Sequence, residues 1–359
     1  MKNLDETRKD IDNIDKQLLE LLSLRAEKVK EIFEVKKDEK LPPFDPAREK
    51  RIIENLVKVN KGLLKEKDIE TIMESIFKVY RGMFRQIKVA YFGPEGTFTQ
   101  QAAIKQFGEK VEYIPCRTID NVFKEVEHNR ADYGIVPVEN SIEGVVTHTL
   151  DMFVDSNLKI VSEVILDVHH FFLSKEDSIK NVKKIFSHPQ PISQCWNWIT
   201  TNLPNIEIVE AESTSKAVQL ASNEKETAAI GAKVAASIYK MNILAENIED
   251  YTGNVTRFLV VGKKLSSKTE TDQTSIILSI KDKIGALQDI LNHFTKSNIN
   301  LTRIESRPSK KKAWDYIFYL DFIGHKEDNK IKSVLTELEK ETVFLKVLGS
   351  YPAKDTNKT

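Results

Sequence analysis

The chain has 359 residues, and its 54 basic and 54 acidic side chains give no formal net charge. This length predicts two or three domains, and the balanced charge argues against a nucleic-acid partner. The N-terminus lacks the apolar core of a signal peptide, and no apolar run approaches the roughly 18 residues of a membrane span. The two cysteines, Cys116 and Cys195, are far apart, which is typical of a protein in the reducing cytoplasm. Neither an HExxH motif nor paired CxxC motifs occur, so the sequence implies no metal, and we expect no cofactor.

The first 86 residues predict three helices. Residues 5–37 carry apolar side chains at steps of three and four, which predicts one helix of about 33 residues. A small globule cannot cover so long a helix, so we expect a helical partner. Asp45 and Pro46 begin a second helix that ends near Asn60, and a third spans about 66–86. This all-α unit has no other core of its own, so we expect a homodimer or a higher even homo-oligomer.

From residue 87 to about 263, short apolar strands alternate with helical segments. The alternation predicts an α/β unit with a mostly parallel sheet, in which the apolar passage 159–173 is a candidate connection between two lobes. A buried strand at 132–138 ends in Glu139, Asn140 and Ser141, and ligands of α/β proteins bind where strands end. The alternative, which this run alone slightly favours, is that Asn140 or Ser141 caps the next helix.

The last part of the chain has a different order of elements. Residues 263–273 are polar and predict a linker. The segment 274–350 then predicts strand, helix, strand, strand, helix, strand, which is the ferredoxin-like order, with residues 308–312 as the central hairpin.

Positive charges recur along the first helix. Arg25 and Lys36 are 11 residues apart and lie about 16 Å along one face, whereas Arg8 points about 100° away. One straight helix cannot direct all three at one small ligand. A second copy of the chain is therefore expected to supply Arg8.

On the second helix, Asp45, Arg48 and Glu49 share a face at spacings of three and four. A solvated surface is the plain alternative for such charges. Together with the cations of the first helix, they make residues 1–86 resemble the all-helical chorismate mutase family. The resemblance implies that the cations hold the carboxylates and ether oxygen of chorismate while Glu49 hydrogen-bonds near the reacting end. That rearrangement is pericyclic, so it needs orientation and charge stabilisation but no nucleophile or cofactor.

The third helix departs from that family's pattern. The family has a serine there and, four residues later, a glutamine or glutamate; alignment on Phe77 places Phe84 and Lys88 at these positions. Gln86 is the nearest glutamine, and a shifted register would use it. A mutase unit that is weak and mainly dimerises the chain is therefore the alternative.

Five motifs in family order make the middle unit resemble prephenate dehydratase over nearly its whole length. They are Gly93–Phe98, Val136–Asp151, Ser187–Gln190 with Gln194 and Cys195, Glu212–Thr214, and Asn254–Phe258. The resemblance implies two α/β lobes around a cleft, as in periplasmic binding proteins. Prephenate must lose CO2 and its ring hydroxyl together, and a hydroxyl leaves poorly unless it is protonated or hydrogen-bonded. The cleft therefore needs hydroxyl and amide donors and one anchor for the remaining carboxylate.

By this resemblance Thr256 is the central catalytic residue, placed to hydrogen-bond the leaving hydroxyl. Arg257 is the natural carboxylate anchor, although an ion pair to Glu139 or Glu212 is an equally good interpretation. The resemblance places further residues in or near the cleft: Glu139, Asn140, Ser187, Gln194, Glu212, Ser213 and Phe258.

Other reactive side chains of this unit are interpreted as structural. His188 precedes a proline and is expected to be a packed or turn histidine. Cys195 has no evident histidine–acid partner, and the pair His169-His170 lies in an apolar run.

The C-terminal unit resembles the ACT domain that accompanies this dehydratase. Gly285-Ala286-Leu287 opens its first helix, and Glu305-Ser306-Arg307-Pro308 ends its second strand. The resemblance implies that these two motifs bind L-phenylalanine, and glycine at a helix N-terminus lets backbone amides approach a carboxylate. Plain turn signals are the alternative. ACT domains pair their sheets across dimers, which again implies a homo-oligomer.

The chain is thus expected to be multidomain: an all-α three-helix mutase domain (1–86), an α/β two-lobed dehydratase domain like periplasmic binding proteins (87–263), and an α+β ferredoxin-like ACT domain (274–355). We expect it to carry chorismate through prephenate to phenylpyruvate under inhibition by L-phenylalanine. Its partners would then be small molecules, with no nucleic acid and no membrane. The alternatives are the weak mutase, a preference for arogenate, and a non-catalytic amino-acid sensor.

Overall fold

The computed structural model describes residues 3–84, 86–280, 283–308 and 316–354. The helices of these ranges are α1 (Leu4–Asp38), α2 (Pro46–Val59), α3 (Glu66–Phe84), α4 (Phe98–Phe107), α5 (Ile119–Glu127), α6 (Thr147–Asp155), α7 (Pro189–Gln194), α8 (Trp196–Asn202), α9 (Thr214–Ala221), α10 (Lys233–Tyr239), α11 (Ala286–Lys296) and α12 (Asn329–Glu341). The strands are β1 (Lys88–Phe92), β2 (Glu112–Cys116), β3 (Tyr133–Asn140), β4 (Gly144–Val145), β5 (Lys159–Asp167), β6 (Phe171–Ser174), β7 (Lys184–Ser187), β8 (Glu207–Glu210), β9 (Thr227–Gly231), β10 (Asn242–Ala245), β11 (Val255–Gly262), β12 (Asp272–Ile280), β13 (Leu301–Pro308), β14 (Tyr316–Ile323) and β15 (Thr342–Pro352). Within the described ranges, none of the helices combines the length and the apolar character that crossing a membrane requires.

The helical unit matches the sequence prediction closely. Asp45 caps α2 by accepting a hydrogen bond from the Arg48 amide at 3.0 Å, with Pro46 at the first helical position. α1 buries only Phe33, and its apolar stripe stays exposed, with Leu21 64% and Leu24 54% accessible. A stripe of this kind needs a covering surface, which the described residues of one chain do not supply.

The loop between α1 and α2 is anchored in the next unit. Phe44 is 3% exposed and packs on Phe107 and Tyr133. The Tyr133 hydroxyl donates to the Phe44 carbonyl at 3.0 Å and accepts from the Phe44 amide at 3.2 Å. The helical unit and the two-lobed unit therefore share a core at this point.

Two sheets form the two lobes of the middle unit. The first has the order β2-β1-β3-β11-β5 with β4 beside β3, and the second has the order β10-β6-β9-β7-β8. The expectation of a mostly parallel sheet is wrong, because β11 runs antiparallel to β3 and β5, and β6 runs antiparallel to β9 and β10. Helices α5 and α9 cover their sheets with buried apolar faces.

The chain crosses between the lobes twice. The apolar passage 159–173 is one crossing, as predicted: β5 lies in the first sheet, β6 lies in the second, and residues 168–170 connect them. Residues 246–254 return the chain to the first lobe. The two crossings are tied to each other by hydrogen bonds from Val168 to Asn254 (2.7 Å) and from Ile248 to His170 (3.0 Å).

The C-terminal unit has the predicted ferredoxin-like order, with a sheet β13-β14-β12-β15. The predicted hairpin of residues 308–312 lies outside the described residues except for Pro308. This sheet packs against the first lobe, where Leu348 and Tyr351 join a buried cluster with Ile160 and Leu259. The contact is closest at Gly349, where a Cβ atom would lie 2.1 Å from the Ile160 carbonyl oxygen.

A β-bulge interrupts the pairing of β3 with β11. Arg257 pairs with Glu139, but the next residue, Phe258, pairs with Pro137, so Val138 is the extra residue. A bulge of this kind changes which face the following side chains point to. Here it places Val138 and Glu139 on the same face. Asn140 and Thr256, the next pair along, lie on the opposite face because adjacent side chains of a strand alternate.

Candidate active sites

Thr256 and Asn140 are direct cross-strand partners at the ends of β11 and β3. Thr256 is 8% exposed, and the Asn140 side-chain amide donates to its hydroxyl oxygen at 2.8 Å. Because this bond occupies a lone pair of the oxygen, the hydroxyl proton is left to be donated to another group. The site thus presents an oriented hydroxyl donor.

The orientation of Asn140 is itself fixed. Its side-chain oxygen accepts from the amides of Ile142 (2.9 Å) and Glu143 (3.0 Å), so its nitrogen must point toward Thr256. The alternative of a helix cap at Asn140 or Ser141 is wrong: Asn140 closes a turn before β4, and α6 begins only at Thr147 without a side-chain cap. Ser141 ties the turn to the start of β11: its hydroxyl accepts from the Val255 amide at 2.9 Å and donates to the Gly253 carbonyl at 3.1 Å.

A chain of side-chain hydrogen bonds continues from Asn140 across the lobes. Asn140 donates to Asn254 (2.7 Å), Asn254 donates to the Gln194 side-chain oxygen (3.3 Å), and His170 Nε2 donates to the same oxygen (2.7 Å). Gln194 belongs to α7 of the second lobe, and His170 to a crossing segment. Burial lowers the pKa of His170, so it is neutral and carries its proton on Nε2.

Sequence reasoning missed Asn254 and His170 as members of this chain. The period of a strand places Asn254 on the face of Thr256, and that signal was available in the sequence. His170 was assigned only to the core or an edge, which agrees with its 2% exposure. Its hydrogen bond depends on a contact between lobes that local sequence does not encode.

The second lobe carries three of the predicted cleft residues besides Gln194. Ser187 ends β7, is fully buried and donates to the His188 carbonyl at 3.1 Å. Ser213 caps α9 by accepting from the Lys216 amide at 3.1 Å, and Glu212 is exposed just before it. These residues lie at the ends of β7 and β8, where an α/β sheet presents ligand contacts.

The first lobe approaches the second at the motif around Gly96. Gly96 has φ +82°, and a Cβ there would lie 3.2 Å from Ala235 and from Tyr239 of α10. Ser215 of α9 donates to the Glu95 carbonyl oxygen. The Gly93–Phe98 motif therefore forms a wall of the cleft by close backbone approach, which glycine permits.

Three predicted cleft residues lie elsewhere. Arg257 does not anchor a carboxylate in the cleft, because Glu163 and Asp321 already bind its guanidinium, each at 2.7 Å. Glu139 forms an ion pair with Arg303 of the C-terminal unit. Phe258 is 1% exposed and belongs to the core of the first lobe. The ion-pair interpretation of Arg257 holds, with partners other than Glu139 and Glu212.

His188 and Cys195 are structural, as interpreted from the sequence. His188 caps α7 by accepting from the Gln190 amide at 3.4 Å. Cys195 is fully buried, and burial raises its pKa, which makes it a poor nucleophile.

The helical unit collects charged side chains at its core. Arg25 lies over the rings of Phe77 and Tyr80 at 5.4 and 5.1 Å, and its Nη1 is buried without a hydrogen-bond partner. Lys36 donates to the Pro43 carbonyl at 3.4 Å, and burial lowers its pKa against the opposing effect of nearby carboxylates. A half-buried cation with an unused donor, as Arg25 has, is suited to binding a carboxylate.

Glu49 is held by a residue that sequence reasoning missed. Arg81 of α3 donates to it at 2.9 Å, lies 4.7 Å from the ring centre of Phe44, and donates to the Gln106 carbonyl at 2.5 Å. Burial raises the pKa of Glu49, and Arg81 opposes that rise. Arg81 lies four residues after Phe77 on the buried stripe of α3, where a charge is unusual, and that departure was visible in the sequence.

The other predicted residues of this unit are not gathered at the site. Arg8 is exposed and lies 3.6 Å from Asp5, and its separation from Arg25 along one helix is about 25 Å. Arg48 is exposed on α2. Gln86 lies beyond the end of α3 in an exposed link, so a shifted register within the helix does not bring it to the site.

The two predicted effector motifs lie at the start of α11 and at the end of β13. Gly285 adopts φ +79° at the N-cap, Ala286 is 7% exposed, and Leu287 packs on the core. On β13, an edge strand, the side chains alternate in exposure: Glu305 and Arg307 are half-buried, and Ser306 and Pro308 are exposed. Arg307 lies 3.7 Å from Asp151 of α6.

Comparison with known families agrees with this three-part organisation. The models of chorismate mutase type II, prephenate dehydratase and the ACT domain match residues 7–83, 89–266 and 274–340. The chain is 48% identical to the bifunctional chorismate mutase/prephenate dehydratase of Aquifex aeolicus over 98% of both chains, and 42% identical to that of Pseudomonas aeruginosa over 95% of both. A solved prephenate dehydratase of Arthrobacter aurescens, in complex with L-Phe, superposes with a TM-score of 0.69 at 32% identity, covering 76% of this chain and 91% of that one.

The fold and the sites thus define an enzyme with two catalytic units, a mutase and a lyase, followed by an ACT domain. The chain belongs to the family of bifunctional chorismate mutase/prephenate dehydratases. The sequence-based assignment of its fold class and of both enzyme units is confirmed.

Proposed function

We propose that this chain rearranges chorismate to prephenate in its helical unit, converts prephenate to phenylpyruvate in the cleft, and is inhibited by L-phenylalanine. The observation that carries the dehydratase half is the 2.8 Å bond from Asn140 to Thr256. This bond leaves the Thr256 hydroxyl free to donate its own hydrogen bond to the leaving hydroxyl of prephenate.

In the dehydratase step the bond between the ring and its carboxylate breaks, and its electrons restore the aromatic ring as the carbon–oxygen bond breaks. The departing oxygen leaves as water, taking up one proton, and CO2 and phenylpyruvate remain. Thr256 donates a hydrogen bond to this oxygen as negative charge develops on it, which stabilises the transition state. Asn140 orients Thr256 and does not itself need to contact the substrate.

The anchor of the side-chain carboxylate is assigned to the start of α9 in place of Arg257. Ser213 and Thr214 lie there, where backbone amides and the helix dipole favour an anion. Ser187, Gln194 and Glu212 complete the proposed cleft. Glu212 is the exposed carboxylate that remains to recognise an amine, so arogenate is the competing substrate to be compared with prephenate.

In the mutase half, Arg25 and Lys36 hold the carboxylates and the ether oxygen of chorismate, and Glu49 accepts from its hydroxyl. Asp45 and Arg48 flank that site on α2. Catalysis comes from holding one conformer and stabilising charge. The pairing of Glu49 with Arg81 favours a second candidate, a slow mutase, because the carboxylate is already engaged.

A second copy of the chain is part of the proposal. It supplies Arg8, which lies too far from Arg25 on the same helix, and it covers the exposed stripe of α1. The resulting homodimer is expected in the cytoplasm, where the two free, buried cysteines remain reduced. Light scattering coupled to size exclusion measures the stoichiometry.

L-Phenylalanine is proposed to bind the ACT domain at the two motifs that begin α11 and end β13. These are Gly285, Ala286 and Leu287, and Glu305, Ser306, Arg307 and Pro308. The unit boundaries 1–86, 87–263 and 274–355 remain part of this proposal.

The experiment follows phenylpyruvate formation from prephenate by the full chain. Thr256→Val keeps the shape of the side chain but removes the donor, and we expect a loss of about 10²–10³-fold in kcat with little change in KM. Thr200→Val, on exposed α8, is the matched control. A Thr256→Val enzyme with the wild-type rate contradicts the assignment. Chorismate turnover by the same samples tests the mutase half and decides between a full and a slow mutase.

A further inference from the structure

Four charged side chains connect the dehydratase sheet to the ACT sheet behind the catalytic pair. Glu139 and Arg257 are cross-strand partners on β3 and β11. Arg303 and Asp321 are cross-strand partners on β13 and β14. We refer to these four side chains as the charge quartet.

Within the quartet, every neighbour has the opposite sign. Glu139 pairs with Arg303, and Arg257 donates to Asp321 at 2.7 Å, so each strand of one sheet is joined to a strand of the other. Opposite charges also face each other across each pair of strands. This pattern fixes the register of the two sheets as well as their contact.

Arg257 is the most constrained member of the quartet. It also donates to Glu163 at 2.7 Å and to the Tyr351 hydroxyl at 3.0 Å. Its side chain is 11% exposed, and Asp321 additionally accepts from Ser275 at 2.6 Å. A buried arginine with this many charged hydrogen bonds cannot move without breaking several of them.

The quartet is adjacent to the catalytic pair. Asn140 and Thr256 are the next residues after Glu139 and before Arg257 on the same two strands, and they point to the opposite face. A shift of Glu139 or Arg257 therefore moves the backbone that carries the donor to the leaving hydroxyl. A misplacement of about 1 Å at such a donor can cost about 10²-fold in rate.

The quartet is also adjacent to the proposed effector site. Arg303 lies on β13 two residues before Glu305, where the second effector motif begins. A small cavity lies beside the quartet, lined among others by Glu305 and Tyr319. Its lining also includes Arg257, Arg303 and Asp321, so the quartet and the second effector motif share the walls of one cavity.

We propose that the charge quartet is the link by which the ACT domain sets the position of Asn140 and Thr256, with Glu139 and Arg257 acting as positioning residues. L-Phenylalanine bound at β13 displaces Arg303, the displacement passes to Glu139 and the bulge of β3, and the Thr256 donor is moved out of alignment. This inference rests on the proposed dehydratase function and extends it with a defined route.

The test begins with Arg303→Met, which keeps the aliphatic stem but removes the charge on the ACT side. In the full chain we expect the inhibitory concentration of L-phenylalanine to rise at least about tenfold and the dehydratase kcat to fall several-fold, with KM changed less than about twofold. The mutase rate of the same sample should equal that of the wild type. Arg130→Met, which breaks the exposed pair with Glu125, is the matched control and should change none of these values.

A second variant separates positioning from mere stability. Glu139→Gln in the Arg303→Met background removes the half-buried carboxylate that has lost its partner, so kcat should recover to within about threefold of the wild type. The response to L-phenylalanine should stay lost, because the link is still absent. Calorimetry should show that L-phenylalanine still binds both variants.

The possible results separate the proposals. A wild-type phenylalanine response in Arg303→Met, a response regained in the double variant, or lost phenylalanine binding in Arg303→Met each overturns the quartet as the link. If the wild type does not convert prephenate, the proposed function fails. If it converts prephenate but is not inhibited, the regulatory proposal fails, and the kcat of the two variants still tests the positioning role.

Discussion

The hydrogen-bond chain that orients Thr256 predicts a large effect from the smallest possible change at Asn140. Asn140→Asp replaces one nitrogen by oxygen and keeps the shape of the side chain. The nitrogen donates at 2.8 Å to Thr256 and at 2.7 Å to Asn254, and the new carboxylate donates to neither. Instead it accepts a hydrogen bond from the Thr256 hydroxyl, which reverses the direction of that bond.

The cost follows from the strength of the reversed bond. A hydrogen bond to a carboxylate is worth about 1.5–3 kcal/mol, and Thr256 must break it before donating to the leaving hydroxyl. This raises the barrier of the dehydratase step by about the same amount, which corresponds to about 10- to 150-fold in kcat. The mutase rate should not change, because its residues lie on α1, α2 and α3.

The assay measures phenylpyruvate formation across a range of pH. As pH falls and the introduced carboxylate takes up a proton, the resulting carboxyl group again offers a donor, so the variant should recover part of its activity while the wild type does not. Asn202→Asp, at the exposed end of α8, adds the same charge and is the matched control. Wild-type kcat in Asn140→Asp, or a loss that is equal at all pH values, would refute the orienting role of this amide.

Three further predictions concern other parts of the chain. Arg81→Gln removes the positive charge that opposes the rise in the pKa of Glu49, so we expect that pKa to rise further. Mutase activity should then begin to fall at a higher pH than in the wild type as the solution is acidified. An unchanged pH profile of the mutase contradicts the role of Arg81. Gly349→Ala forces a Cβ against the first lobe, so the ACT sheet can no longer pack closely and the melting temperature should fall by several degrees. Gly62→Ala, in an open and exposed turn, is the control and should leave the melting temperature unchanged. Cys195 should not react with a thiol reagent at pH 8 until denaturant is added, because burial raises its pKa; rapid labelling of the native enzyme would contradict this.

Secondary structure and domain order followed from local patterns. The long periodic helix, the Asp45-Pro46 start of α2 and the βαββαβ order each depend on signals within a few residues. The short strands β4 and β10, which have no such signal, were not predicted, and α6 was expected only as the helix that Asn140 or Ser141 would cap. The direction of the strands was also predicted wrongly, because two crossings between lobes reverse it, and no local signal records that path.

The site was predictable where a motif is continuous and was not where two strands meet. Asn140 and Thr256 were both assigned to the cleft, and the structure makes them partners. Glu139 and Arg257 were assigned there as well, Glu139 from the family resemblance and Arg257 from the need for a carboxylate anchor. Their partners Arg303 and Asp321 lie more than 60 positions away in the sequence, in another domain. Charge alone could not identify them among many acidic and basic residues.

The extra residue in β3 has a consequence for how this enzyme tolerates change. If Val138 were paired instead of bulged, the two-residue period would place Glu139 in the cleft and Asn140 against the ACT sheet. A shift of register that pairs Val138 with Arg257 would exchange the surroundings of Glu139 and Asn140 at once, whereas deletion of Val138 removes the bulge and leaves both existing pairs in place. Related chains should therefore tolerate the loss of this one residue more readily than a change in the pairing of the two strands.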